Sequence, residues 1–340
     1  MISIPQIRSS NNQIVVLGNH ESIIQSILDF DYLSGKSEGS IIAIVTGRRG
    51  YSKFFFGRRE ILIPTLVSLR GSDLKGSAQP RHKPSRGRSD PMGTRNLWLL
   101  NLLSGRRTLS STQEFLTVFP DAAGAALFAE NVPELHSLQL ISANSLESSI
   151  SHLESKLIVG PASVGLLVPG ILKLGPIGGI TPDQILEGKI IEPGSIAVLS
   201  ASGGMTNELI NIATQSGHRL SFAFSFGGDR FPVLSPSEAF LLAEKDPATK
   251  IVLYYGELGG EDEYELVKLK EEGKFTKKVV AHIAGTVASL FPESPQFGHA
   301  KARADKERVT ATSKRAALAS AGFQVSQSFS QFIKMVESLR

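Results

Sequence analysis

Short apolar runs alternate with stretches of helical period along the first part of the chain. "QIVVL" (13–17) reads as a buried strand closed by Gly18, and residues 21–33 carry apolar side chains at helical spacing. "SIIAIV" (40–45), "LWLLNLL" (97–103) and "AALFA" (125–129) read as further strands, with helical stretches between them. Strand, turn and helix in repetition predict a mostly parallel sheet with helices on its faces.

The alternation sharpens from about Gly194. "SIAVLS" (195–200), "LSFAFSF" (220–226), "KIVLYY" (250–255), "KKVVAHIAG" (277–285) and "FQVS" (323–326) read as strands. "MTNELINIATQSGH" reads as a helix with Gly217 as its C-terminal stop. "SPSEAFLLAEK" opens with Ser235, Pro236 and Glu238 in the pattern of a capping box. "TATSKRAALASAG" and "SFSQFIKMVESL" read as closing helices. The pattern predicts an α/β protein with a first domain over 1–160, a Gly- and Pro-rich connector over 161–193 and a second doubly wound domain over 194–340.

One segment breaks the pattern. Residues 71–94, "GSDLKGSAQPRHKPSRGRSDPMGT", have no hydrophobic period and read as a disordered insertion. An anionic contact or a local frame error in the deduced sequence are the alternatives. The net charge of the 340-residue chain is +4, yet residues 70–95 hold seven basic residues, Arg70 and Arg88 among them, against Asp73 and Asp90. The basicity therefore belongs to this segment rather than to a folded face, and no nucleic-acid partner is expected. The chain has no cysteine, which excludes disulfides, thiolate metal sites and cysteine nucleophiles. "MISIPQIRSSNN" lacks the apolar core of a signal peptide, and no apolar run reaches membrane-spanning length. A cytoplasmic protein with no membrane contact is expected.

The candidate chemistry lies in the second half. Gly-Gly pairs occur at 178–179, 203–204, 227–228 and 259–260, and the last three each follow a predicted strand. Such turns lie at the carboxyl edge of a parallel sheet, where ligands bind. "SASGGMTNE" (200–208) aims helix N-terminal amides at that edge, an arrangement suited to an anion. No P-loop for ATP is present. Glu257, in "YYGELGGEDEY", and His299, in "SPQFGHAKARAD", each follow a strand of the same domain and can reach one sheet edge. A carboxylate on one imidazole nitrogen fixes the tautomer and leaves the other nitrogen nucleophilic, which makes a phosphohistidine physically sensible. Taken singly, each feature also fits a structural role: a tight strand–helix turn, a turn-capping carboxylate, a hydrogen-bonded histidine. No metal site is expected.

"GPASVG", "LKLGPIGG", "SASGGMTNE", "SFGGDRFP", "YYGELGGEDEY" and "QFGHA" occur in the order found in the α-type module of the succinyl-CoA synthetase and ATP-citrate lyase superfamily, which the chain resembles over most of its length. "ILDFDY" (27–32), "KFFFGRREILIP" (53–64), "SGRRTLSST" (104–112) and "AENVPE" (129–134) extend the resemblance, as do "SGGMTNE" and "QFGHA", toward the citrate branch.

The resemblance implies an N-terminal Rossmann-like CoA-binding domain followed by a flavodoxin-like CoA-ligase domain. It implies that His299 carries a phosphoryl group, that Glu257 orients it, and that Glu130 is a second acidic residue there. Ser202, Gly203 and Gly204 match the turn that holds phosphate and citrate, and Gly18 and Arg107 are the CoA candidates. ATP, with Mg2+, is expected on a β-type ATP-grasp large subunit, in an α2β2 or similar hetero-oligomer. The chain stops at Arg340 without a citrate-synthase-like module. The small subunit of a citryl-CoA synthetase, the first of two enzymes that cleave citrate in a reductive citric acid cycle, is therefore expected. An α subunit of a succinyl- or malyl-CoA synthetase, or the α-type part of an ATP-citrate lyase, is the alternative.

Overall fold

A computed structural model describes residues 1–69, 95–151, 156–291, 294–296, 299, 302–304 and 306–339. The expected insertion at 71–94 lies outside the described residues. The described residues build two seven-stranded, mostly parallel sheets. The first contains β1 (Asn11–Leu17), β2 (Ile41–Val45), β3 (Gly50–Phe56), β4 (Arg59–Leu66), β5 (Arg95–Asn101), β6 (Gly124–Leu127) and β7 (Leu157–Val159). Its order is β3-β4-β2-β1-β5-β6-β7, so the winding reverses between β1 and β5. β6 is buried at every position and β1 along its second half, as befits parallel strands covered on both faces. The helix Glu21–Leu33 follows β1, as its apolar period requires.

Helical stretches were expected throughout the first half, but β3 and β4 instead form an antiparallel hairpin at the sheet edge. Gly57, at φ +62°, starts the two-residue turn between Phe56 and Arg59. A left-handed residue there matches the twist of the two strands, and glycine adopts it without a Cβ penalty.

The second sheet contains β8 (Leu166–Val168), β9 (Leu172–Leu174), β10 (Pro193–Ser200), β11 (Leu220–Ser225), β12 (Ile251–Glu257), β13 (Lys278–Ala284) and β14 (Gln324–Ser326). Its order is β14-β13-β12-β10-β11-β8-β9. The winding reverses beside β10, between β11 on one side and β12 on the other. β8 runs antiparallel to β11, and β9 pairs with β8. Part of the stretch expected as a connector is thus built into this sheet, because its Gly- and Pro-rich turns separate short, fully buried apolar strands. The capping box at Ser235 is formed, and Gly217 takes φ +86° after the helix Gly203–Gln215.

One apolar core cluster runs through both halves, from Ile14 and Leu100 to Leu199, Phe224 and Ile283. Arg8 adds a polar link: its guanidinium meets both oxygens of buried Asp246, at 2.5 and 2.9 Å. Among the described residues, no helix is long and apolar enough to cross a membrane.

Candidate active site

The site forms at the carboxyl edge of the second sheet. Glu257 is the last residue of β12 rather than the first of the loop, because its neighbour Leu258 still donates to the Ala284 carbonyl of β13 at 3.0 Å. Gly259 then turns at φ +80° and donates to the Val309 carbonyl at 2.8 Å. The backbone that carries Glu257 is therefore tied to two neighbouring segments.

His299 comes from the segment after β13. Its carbonyl accepts from the Ala302 amide at 3.0 Å, and its Nδ1 lies 2.8 and 3.1 Å from the two Glu257 carboxylate oxygens. An ionised carboxylate can only accept, so Nδ1 donates, and in the neutral ring that leaves the lone pair on Nε2. The His299 side chain is 32% exposed and that of Glu257 16%, so the carboxylate is sheltered while the ring reaches the surface. That is the arrangement of an oriented nucleophile.

Gly228 makes room for the ring. A Cβ at this position would lie 2.4 to 2.7 Å from Cδ2, Nε2 and Cγ of His299. The next residue, Asp229, is half-buried, and its Oδ2 is buried without a hydrogen-bond partner among the described residues. Burial pushes the Asp229 carboxyl above the ordinary range. The Val132 amide and His299 act against that rise, while Glu130 and Glu134 reinforce it. Glu130 itself is exposed, and its charge adds to the rise at Asp229. Sequence reasoning gave Asp229 no role, although it follows a Gly-Gly pair at a strand end, a signal that could have found it.

The turn after β10 lies between the strands that lead to Glu257 and to Gly227–Asp229, since Ser200 pairs with Tyr255 on one side and Ser225 on the other. Ser202 caps the helix Gly203–Gln215 by accepting from the Met205 amide at 3.3 Å. Gly203 is needed for packing, because a Cβ there would lie 2.5 Å from Val164 Cγ1. Gly204 faces open space, with nothing within 4 Å of a built Cβ. The first amides of a helix have no partner within it, so this end can receive an anion.

The other two sequence candidates meet in the first sheet. Gly18 and Arg107 line one cavity of about 390 Å³ beside the point where the strand order reverses. Thr46, Gly47, Ser68 and Ser111, none of them singled out in the sequence, share its wall. Gly18 has φ +96°. Among the described residues, no group of three or more His, Asp or Glu side chains is placed to hold a metal ion.

The CoA-ligase family profile matches residues 199–323, which include Ser202, Gly204, Gly228, Glu257 and His299. Over 325 residues the chain is 36% identical to ATP-citrate synthase beta chain protein 1 of Arabidopsis thaliana, covering 95% of this chain and 49% of that protein. Over 333 residues it is 33% identical to ATP-citrate synthase of Homo sapiens, covering 97% of this chain and 28% of that protein. The solved structure of ATP citrate lyase from Methanothrix soehngenii in complex with citrate and coenzyme A matches with a TM-score of 0.84 at 34% identity. That match covers 97% of this chain and 49% of the archaeal one. The chain thus spans about half the length of its Arabidopsis and archaeal relatives.

Proposed function

We propose, from the premise that the chain carries a CoA-ligase domain of the succinyl-CoA synthetase α and ATP-citrate lyase superfamily, that it is the α-type subunit of an acid–thiol ligase that makes citryl-CoA. The observation that carries the reading is the contact of His299 Nδ1 with Glu257 at 2.8 Å, with Nε2 over Gly228. The citrate-directed relatives support the choice of acid.

In this reading His299 Nε2 attacks the γ-phosphorus of ATP, brought with Mg2+ by a β-type ATP-grasp subunit. The bond to ADP breaks, and Glu257 stabilises the positive charge that develops on the ring. A citrate carboxylate oxygen then attacks the phosphorus. The nitrogen–phosphorus bond breaks and citryl phosphate forms. The CoA sulfur attacks its carbonyl carbon, phosphate leaves with the thiol proton, and the thioester remains. Ser202, Gly203 and Gly204 hold the phosphoryl group in transit at the helix N-terminus, and Glu130 supplies a second acidic group. Gly18 and Arg107 bind CoA phosphates in the cavity of the first sheet. Residues 1–160 act as the CoA-binding domain and 194–340 as the ligase domain, with 161–193 joining the two and adding β8 and β9 to the ligase sheet. The subunit works in the cytoplasm within an α2β2-type assembly, and a separate lyase splits citryl-CoA to acetyl-CoA and oxaloacetate.

Mass spectrometry of a quenched reaction of this chain with its ATP-grasp partner, ATP, citrate and CoA tests the reading. Citryl-CoA with ADP and phosphate is expected. Direct release of acetyl-CoA, or succinyl-CoA from succinate with citrate ignored, contradicts it.

A further inference from the structure

Beneath the Glu257 turn lies a buried cation that the phosphoryl relay does not use. Lys314, on the helix Ala311–Ser320, is 1% exposed. Its Nζ donates to the Glu257 carbonyl at 2.8 Å and to the Gly259 carbonyl at 2.5 Å. It also lies 2.6 Å from Oε2 of Glu263, whose side chain is likewise 1% exposed. The other Glu263 oxygen accepts from the Tyr254 hydroxyl at 3.0 Å and packs against Gly256, where a Cβ would lie 2.1 Å away. Burial raises the Glu263 carboxyl above its ordinary range, and the Lys314 charge opposes that rise.

An ammonium has three donor directions, and here two serve main-chain carbonyls while Oε2 of Glu263 faces the charge as an ion-pair partner. A buried ion pair is weak as a stabilising device, because both charges lose their water and apolar residues of similar volume do as well. What an apolar pair could not do is hold two carbonyls of the turn that presents Glu257. The amides of Leu258 and Gly259 are held from the other direction by Ala284 and Val309. With both sets of bonds made, the Glu257 backbone has little freedom to shift relative to His299.

We infer that Lys314 is a positioning residue for His299: its two bonds to the main chain of the Glu257–Gly259 turn hold the carboxylate where it meets Nδ1, and Glu263 offsets the buried charge without taking part in the positioning. The inference rests on the proposed phosphoryl relay for its consequence in activity. Misplacement of a catalytic partner by about 1 Å costs about 10²-fold in rate, so a loosened turn reads out directly as slower phosphorylation.

The test uses the full chain carrying Lys314→Met with Glu263→Gln, which removes both buried charges together. Three quantities are read: the thermal midpoint, the ring Nδ1–H resonance of His299 in nitrogen-edited proton NMR, and the rate of phosphorylation by ATP with the partner subunit. A merely structural role predicts that all three stay near wild type once the midpoint does. Positioning predicts a preserved midpoint, an Nδ1–H resonance broadened by exchange with water, and phosphorylation slowed by about 10–100-fold. A folded double variant with a wild-type resonance and rate overturns the inference. Glu263→Gln alone, which leaves both carbonyl bonds of Lys314 in place, should keep the resonance and the rate close to wild type. A loss in that variant as large as in the double variant overturns it as well, and this arm stands if the double variant does not fold. A wild-type chain that shows the resonance but never takes up phosphate sinks the proposed relay instead, and the resonance alone then decides the role of Lys314.

Discussion

Gly228 lies so close to His299 that a single added methyl group would stand 2.5 Å from Nε2, the ring nitrogen away from Glu257. The atoms it would strike belong to a side chain that can swing, and the left-handed region is not required at 228. Gly228→Ala should therefore fold and displace the ring. Expected is a thermal midpoint close to wild type with phosphorylation reduced by at least about tenfold. Unchanged phosphorylation kinetics in the variant would show that the ring tolerates the intrusion and that the close approach has no catalytic meaning.

The neighbouring glycine should behave in the opposite way. Gly227 has φ +111°, and a Cβ there would lie 2.0 Å from the Pro161 carbonyl oxygen. The obstruction is backbone, so Gly227→Ala should destabilise the fold by about 1–3 kcal/mol or more. Chemical denaturation of the two variants side by side separates them. Equal stabilities would contradict the assignment of one glycine to the fold and the other to the site.

The strand–helix alternation was legible because parallel strands buried on both faces appear as unbroken apolar runs, such as 14–17. The β3–β4 hairpin was not read, although Gly57 between "KFFF" and "REILIP" carried a turn signal, because its apolar and polar residues do not form one clean run. β8 and β9 escaped because three-residue strands fall below any useful period. Glu257 and His299 lie 42 positions apart, and only the sheet topology brings them into contact. Their pairing followed from a rule about strand ends rather than from any local pattern. The same rule covers Asp229, which follows a Gly-Gly pair at a strand end, whereas Lys314 had no such rule: its role depends on which atoms surround it after folding.

Arg107 lines the cavity that also contains Gly18. Replacing it with alanine should weaken CoA binding by about tenfold, the size of one charge-assisted hydrogen bond. Phosphorylation by ATP, which needs no CoA, should continue at the wild-type rate. Calorimetric titration with CoA and a single-turnover phosphorylation assay measure the two effects. Unaltered CoA affinity would remove Arg107 from the binding site.

His282 gives the fold a defined acid sensitivity. It is buried and shares a hydrogen bond of 2.9 Å between Nδ1 and the Ser326 hydroxyl. Burial, reinforced by Arg315, lowers its pKa from 6.5 to about 4. The unfolded chain therefore binds more protons between these values, so this contribution is fully present above pH 6.5 and is lost as the pH falls toward 4. Stability measured by denaturant at intervals across that window should fall in the wild type and change less in His282→Leu. Parallel slopes for the two proteins would assign the acid sensitivity elsewhere.

The central claim is that His299 carries the phosphoryl group. The chain is incubated with its ATP-grasp partner and γ-labelled ATP, denatured, and the label on this chain is followed through acid and base treatment. A phosphate that acid removes and base leaves, located on His299 by peptide mapping, is predicted. It should disappear in His299→Ala, form about 10²-fold more slowly in Glu257→Gln, and be discharged by citrate and CoA together. Label that persists on the His299→Ala chain, or a phosphohistidine that citrate and CoA leave untouched, would contradict the account.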